Sequence, residues 1–156
     1  MAVEVGQPAP DFSLDGSDST DEGRRRYTLS EYRGQPVVLV FYPGDNTPVC
    51  TRQLNSYNED IESFSEAGAQ VLALSPQSVQ SHEEFSCKQG GFAFPLLADT
   101  DKSVGEAYGI LGPLGFYRRS VFVVDAAGIV RYAHRAVAGL TFRSSTELVD
   151  AVAAAS

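Results

Sequence analysis

Cysteine is nearly absent from this chain of 156 residues: there are two, Cys50 and Cys87. Two thiols so far apart cannot complete a tetrahedral zinc site, and neither His82 nor His134 stands at a C-x-x-C or H-x-x-x-H spacing. No metal or other cofactor is therefore expected. Long apolar runs are missing too. The longest, PVVLVFYP at 36–43, falls far short of the ~18 residues that span a bilayer. The opening MAVEVGQPAP has neither a basic n-region nor a long apolar h-region, so no secretory signal is expected. The default location is the cytoplasm, where thiols are kept reduced. Positive charge is also short: 12 Lys and Arg against 20 Asp and Glu leave a net charge of −8. That argues against nucleic acid and anionic membrane as partners, because a phosphate surface needs a positive field. A single globular domain over 1–156 with a small or neutral partner fits what remains.

What is present reads as alternating strands and helices. LDGSDSTDEGRRR at 14–26 is polar, with a DG step and three consecutive arginines, and predicts a solvated hairpin or loop. Thr28-Leu29-Ser30-Glu31 has the capping-box form, and Gly34 stops the short helix it opens. PVVLVFY at 36–42 is a continuous apolar run, which predicts a buried central strand. Leu54, Tyr57, Ile61 and Phe64 follow at spacings of 3, 4 and 3, one face of a helix ending near Gly68. VLALS at 71–75 predicts the next buried strand. A helix from Ser78 or Ser81 to Gln89, a short extended piece at 94–97 and a short helix at 99–108 come next. SVFVVD at 120–125 and IVRYAHRA at 129–136 form two strands joined by a tight turn, and 145–155 a terminal helix. This order predicts an α/β fold: a central mixed β-sheet flanked by helices on both faces. Thioredoxin-like folds have this layout.

The chemistry concentrates in FYPGDNTPVCTRQL, residues 41–54. Thr47 is a good N-cap and Pro48 a good first helical residue, which puts Val49 second and Cys50 third. An N-cap hydroxyl bonds the second or third amide, so Thr47 is placed to reach the backbone of Cys50. The sulfur then lies at the positive end of a helix dipole, which favours thiolate. The dipole alone is insufficient. A free thiol ionises near ~8.5, and bringing one to ~6 takes roughly 3.4 kcal/mol of preference for the anion. A helix terminus supplies about 0.3–1 kcal/mol, or ~2 when partly buried. A fixed cation must supply the rest, and arginine suits because it keeps its charge. The candidates are Arg52, Arg118 and Arg119; one of the last two should face the sulfur. Cys87, between Ser86 and Lys88 in a predicted helix, has nothing local that marks it as reactive.

Pro43-x-x-x-Thr47-x-x-Cys50 resembles the active-site motif of the peroxiredoxins. The flanks agree: GQPAPDFSL at 6–14, VVLVFYP before the loop, FPLLAD at 94–99, and Arg119-x-x-Phe122 leading into VVD. TPVCT is similar to the TPxCT helix start of the bacterioferritin comigratory protein and peroxiredoxin Q group. The resemblance implies a thiol-dependent peroxidase acting on hydrogen peroxide and organic hydroperoxides. In it Cys50 is the peroxidatic cysteine and Thr47 hydrogen-bonds the peroxide. Pro43 shields the sulfur from water, and Arg119 holds the thiolate and polarises the O–O bond. Many members of this group carry a resolving cysteine five residues after the first; here that position is Asn55. Other peroxiredoxins place one in the helix where Cys87 stands. The resemblance thus implies an intramolecular Cys50–Cys87 disulfide, recycled by thioredoxin or a related thiol donor, in a monomer or dimer. Alternatives stay open: a one-Cys peroxidase with an external thiol, or a non-enzymatic redox sensor. A thioredoxin-like disulfide reductase is disfavoured, because Cys50-Thr51-Arg52-Gln53 lacks the second thiol. LGPLGFY at 111–117 reads as a loop packing on the core, with an apolar rim for organic hydroperoxides as the other reading.

Overall fold

Every residue of β3 (Val37–Phe41) is buried, and the rest of the molecule is arranged around that strand. The computed structural model describes residues 3–18, 24–136 and 142–155. A seven-stranded mixed sheet runs in the order β2-β1-β5-β4-β3-β6-β7. β4 (Gln70–Ser75) lies parallel to β3 on one side. β6 (Ser120–Val124) lies antiparallel to it on the other, with β7 (Val130–Arg135) at the outer edge. β5 (Leu96–Ala98) extends β4 in parallel, and the hairpin of β1 (Ser13–Ser17) and β2 (Arg24–Thr28) closes the far edge.

The alternation of β3 assigns its side chains to two cores. Val37, Leu39 and Phe41 join Tyr108, Ile110 and Phe122 on one face, closed by Val104 of α4 (Ser103–Ala107). Val38 and Val40 face the helices that carry Cys50, Leu54, Tyr57, Phe64, Phe85, Leu148 and Val152. Those helices are α1 (Pro48–Glu59), α2 (Ile61–Glu66), α3 (Val79–Lys88) and α5 (Ser145–Ala155). Helices thus cover both faces of the sheet, as the strand and helix order predicts.

Several local expectations change. The polar stretch 14–26 is a hairpin, but Gly16 is a strand residue rather than part of a turn; a side chain there would meet the Leu96 carbonyl oxygen at 2.8 Å. Residues 19–23 of this stretch lie outside the described residues. Its three arginines pair at the surface, Arg24 with Glu83, Arg25 with Glu31 and Arg26 with Asp15. The capping-box sequence opens one turn of 3-10 helix (Leu29–Tyr32), and Glu31 accepts the Thr28 amide at 3.0 Å.

The long helix expected from Pro48 to Gly68 is two helices, broken at Asp60 (φ −100°, ψ 19°). Its apolar stripe continues across the break because both helices cover the same face of the sheet. The helix expected over 99–108 is shorter. Asp99 stays outside it and accepts the amides of Val104 and Gly105 at 3.2 and 2.9 Å. In the 111–117 loop, Leu111 and Tyr117 pack on the core, but Leu114 and Phe116 are exposed. The core-packing expectation therefore holds for only half of that loop.

Candidate active site

The site is built where β3 ends and β6 begins. Their antiparallel register pairs Phe41 with Ser120, so the next residues, Tyr42 and Arg119, leave the sheet side by side. β3 runs on through Tyr42 and the loop 43–47 into α1. The Arg119 carbonyl is tied down by the Ala136 amide at 2.8 Å. Arg119 is buried, and its Nη1 donates to the Cys50 sulfur at 3.3 Å and to Gln53 Oε1 at 2.6 Å. Cys50 has no exposed surface and is a free thiol.

Of the three candidate cations, the structure brings one to the sulfur. Arg118 turns away, its Nε donating to the Ala136 carbonyl at 3.0 Å and its amide to Ile110 at 2.7 Å. Arg52 lies on the exposed face of α1. The reason is local: adjacent residues at a strand end point to opposite sides of the sheet, so Arg118 and Arg119 cannot both face α1.

Thr47 behaves differently from the expected N-cap. Its backbone is extended as a cap requires (φ −81°, ψ 147°), but its hydroxyl makes no capping bond and donates instead to the Gly44 carbonyl at 3.2 Å. The Thr47 side chain therefore leaves the first amides of α1 uncapped. Such amides attract negative charge. Thr47 is exposed and Pro43 half-buried. α1 is anchored one turn on, where the Thr51 amide and hydroxyl donate to the Thr47 carbonyl at 2.9 and 2.7 Å.

Sequence reasoning missed Gln53. It is fully buried, and besides accepting from Arg119 it donates to the Tyr57 hydroxyl at 3.3 Å. Tyr57 in turn donates to the Arg143 carbonyl at 2.6 Å; burial pushes its phenol up to about 12, so it remains a donor. The signal was available: Cys50, Gln53 and Tyr57 stand at helical spacings of three and four and share a face. Sequence reasoning also missed Asp45, within the loop 43–47, and His82 on α3, both of them buried. His82 Nδ1 is 2.8 Å from Asp45 Oδ2, and the Tyr42 hydroxyl donates to Asp45 Oδ1 at 2.7 Å.

Cys87 lies in the last turn of α3, exposed, and is not bonded to Cys50. The two helices are nonetheless neighbours. Asn55 donates to Gln89 Oε1 at 2.9 Å, while Asn58 accepts the Ala93 amide at 2.8 Å and donates to the Gly91 carbonyl at 3.4 Å. Among the described residues no group of three or more His, Cys, Asp or Glu side chains is arranged to hold a metal.

Residues 5–133 match the model of the AhpC/TSA family. The chain is 36% identical over 137 residues to the putative peroxiredoxin bcp of Coxiella burnetii, covering 83% of this chain and 87% of that protein. It is also 36% identical over 132 residues to the chloroplastic peroxiredoxin Q of Oryza sativa subsp. japonica, of whose length it spans 58%. Among solved structures, the reduced 2-Cys peroxiredoxin of Plasmodium vivax superposes with a TM-score of 0.88 at 25% identity, covering 96% of this chain and 80% of that one. Mycobacterium tuberculosis AhpC superposes with a TM-score of 0.89 at 21% identity, covering 99% and 93%. That likeness extends the agreement in fold.

Proposed function

Because the chain belongs to the AhpC/TSA family, we propose that it is a thiol-dependent peroxidase whose attacking atom is the sulfur of Cys50. The observation that carries this reading is the guanidinium of Arg119 donating to that sulfur at 3.3 Å, with both residues buried. A buried guanidinium keeps its charge and favours the thiolate over the thiol.

The thiolate attacks one oxygen of hydrogen peroxide or an organic hydroperoxide. An S–O bond forms and the O–O bond breaks; sulfur is oxidised to sulfenic acid and the other oxygen leaves, with a proton, as water or alcohol. Arg119 and the uncapped amides of α1 oppose the negative charge that builds on the leaving oxygen. The Thr47 hydroxyl, held at the rim by Gly44, turns to the peroxide, and Pro43 limits access of water and further oxidant.

The sulfenic acid is then resolved by the Cys87 thiol. An S–S bond forms and the sulfenic oxygen leaves as water; a dithiol reductant such as thioredoxin returns both sulfurs to thiols and is itself oxidised. Disulfide geometry requires the Cα atoms to come within about 7 Å, so the buried turn around Cys50 must open to meet an exposed cysteine on another helix. The closeness of α1 to the end of α3 through Asn55–Gln89 supports this pairing.

Cys50→Ser is expected to abolish peroxide consumption, followed by loss of H2O2 with a dithiol reductant; full activity in that variant would end the reading. Peroxide-treated wild type is expected to be lighter by two hydrogens with no dimer on a non-reducing gel. Cys87→Ser should instead accumulate sulfenic and sulfinic acid on Cys50. The same products in the wild type would identify a one-Cys enzyme.

A further inference from the structure

Behind the active-site loop lies a buried polar cluster that the peroxidase chemistry does not use. His82, in the first turn of α3, has no exposed surface, and the Asp45 side chain is 1% exposed. Asp45 Oδ1 accepts from the Tyr42 hydroxyl at 2.7 Å and Oδ2 from the Ser81 hydroxyl at 2.7 Å. His82 Nδ1 stands 2.8 and 3.0 Å from the same two oxygens, and its Nε2 stands 2.9 Å from the Leu97 carbonyl.

Nε2 donates to Leu97, because a carbonyl oxygen only accepts, and one further proton lies between Nδ1 and Asp45. Burial opposes the charge on Asp45, but the hydrogen bond and charge of His82, with the hydroxyls of Tyr42 and Ser81, outweigh it and hold its carboxyl below the ordinary range.

We propose that Asp45 and His82 are positioning residues: a buried, hydrogen-bonded pair that latches the loop before Cys50 to α3 and so sets how readily the first turn of α1 opens. The latch has two ends of consequence. Asp45 is two residues before Thr47, which accepts the first helical hydrogen bond of α1 from the Thr51 amide. His82 is on the helix whose last turn carries Cys87. While the pair is intact, Cys50 stays buried beside Arg119, poised for peroxide. When it releases, the loop is freed and Cys50 can travel. The link to disulfide formation rests on the peroxidase reading above; the latch itself does not.

The test begins with the reduced protein, without turnover. Nitrogen-15 NMR of His82 is expected to show Nε2 protonated and Nδ1 in a hydrogen bond whose signal shifts in Asp45→Asn; an Nδ1 signal unchanged by that substitution would overturn the pair. In Asp45→Asn, amide exchange at Thr51 is expected to quicken about 5- to 30-fold, the factor that one or two kcal/mol represents, relative to the amides of β3. A merely structural loss would speed both alike, and that outcome would overturn the latch. Ser81→Ala, which removes one hydroxyl and no charge, should shift Thr51 in the same direction by less, and serves if Asp45→Asn does not fold. With peroxide, Asp45→Asn should form the Cys50–Cys87 disulfide faster and yield less sulfinic acid. If wild type consumes peroxide through Cys50 but never forms that disulfide, the resolving role of Cys87 fails, and Thr51 exchange still decides the latch.

Discussion

Arg119 is asked to do two things with one nitrogen: it donates to the Cys50 sulfur and to Gln53. Gln53 is what keeps that nitrogen in place, since its amide is itself held by Tyr57. Hydrogen bonds to charged groups are worth about 1.5–3 kcal/mol. Gln53→Ala is therefore expected to lower kcat/KM for peroxide by about one to two powers of ten, measured by stopped flow, with the circular dichroism spectrum unchanged. Little of this layer was legible beforehand. The spacing puts Gln53 on the face of Cys50 and Tyr57, but its task shows only with its partner Arg119, which lies just before β6 and far along the chain. Asp45 and His82 are 37 positions apart, with no periodicity joining them. Cys50 and Arg119, by contrast, stood out, because a cap residue, a proline and a glycine-containing loop converge on one and a motif spacing marks the other.

The elements themselves were largely readable, because continuous apolar runs and helical stripes are strong signals. β3, β4, β6 and β7 fall within a residue or two of where the pattern puts them. The failure at Asp60 has a simple cause: a stripe reports which face is apolar and is blind to a break in the backbone that leaves the face intact. α1 and the connection after α3 are joined by Asn58, which uses both ends of its amide on Gly91 and Ala93. Asn58→Ala should cost about 0.5–1.5 kcal/mol, the net worth of a hydrogen bond whose groups water can reach. It should also speed amide exchange at Ala93 more than at β4, as read by mass spectrometry; equal protection at both would show that the clasp is incidental.

At the scale of the whole molecule, two carboxylates link stability to acid. Burial opposes ionisation of Asp45 and of Asp125, but His82 in the first case, and the Ile129 amide with Arg131 in the second, outweigh it and lower both. The folded values lie below the unfolded one, near ~3.9, so the unfolded chain binds more protons in acid. The stabilisation is fully present above about pH 4–5 and is lost as pH falls through the folded values. The urea midpoint should drop as pH falls below about 4. Asp45→Asn should start lower and fall less steeply; a parallel fall would place the acid sensitivity elsewhere.

The interruption at Asp60 bears on how such a molecule survives repeated oxidation. Unravelling that starts at Thr47 propagates along an unbroken ladder of amide bonds and stops where the ladder stops. α1 is 12 residues long, so an opening that starts at Thr47 has that span as its limit. Phe64 in α2 lies beyond it and packs in the core on the same face of the sheet.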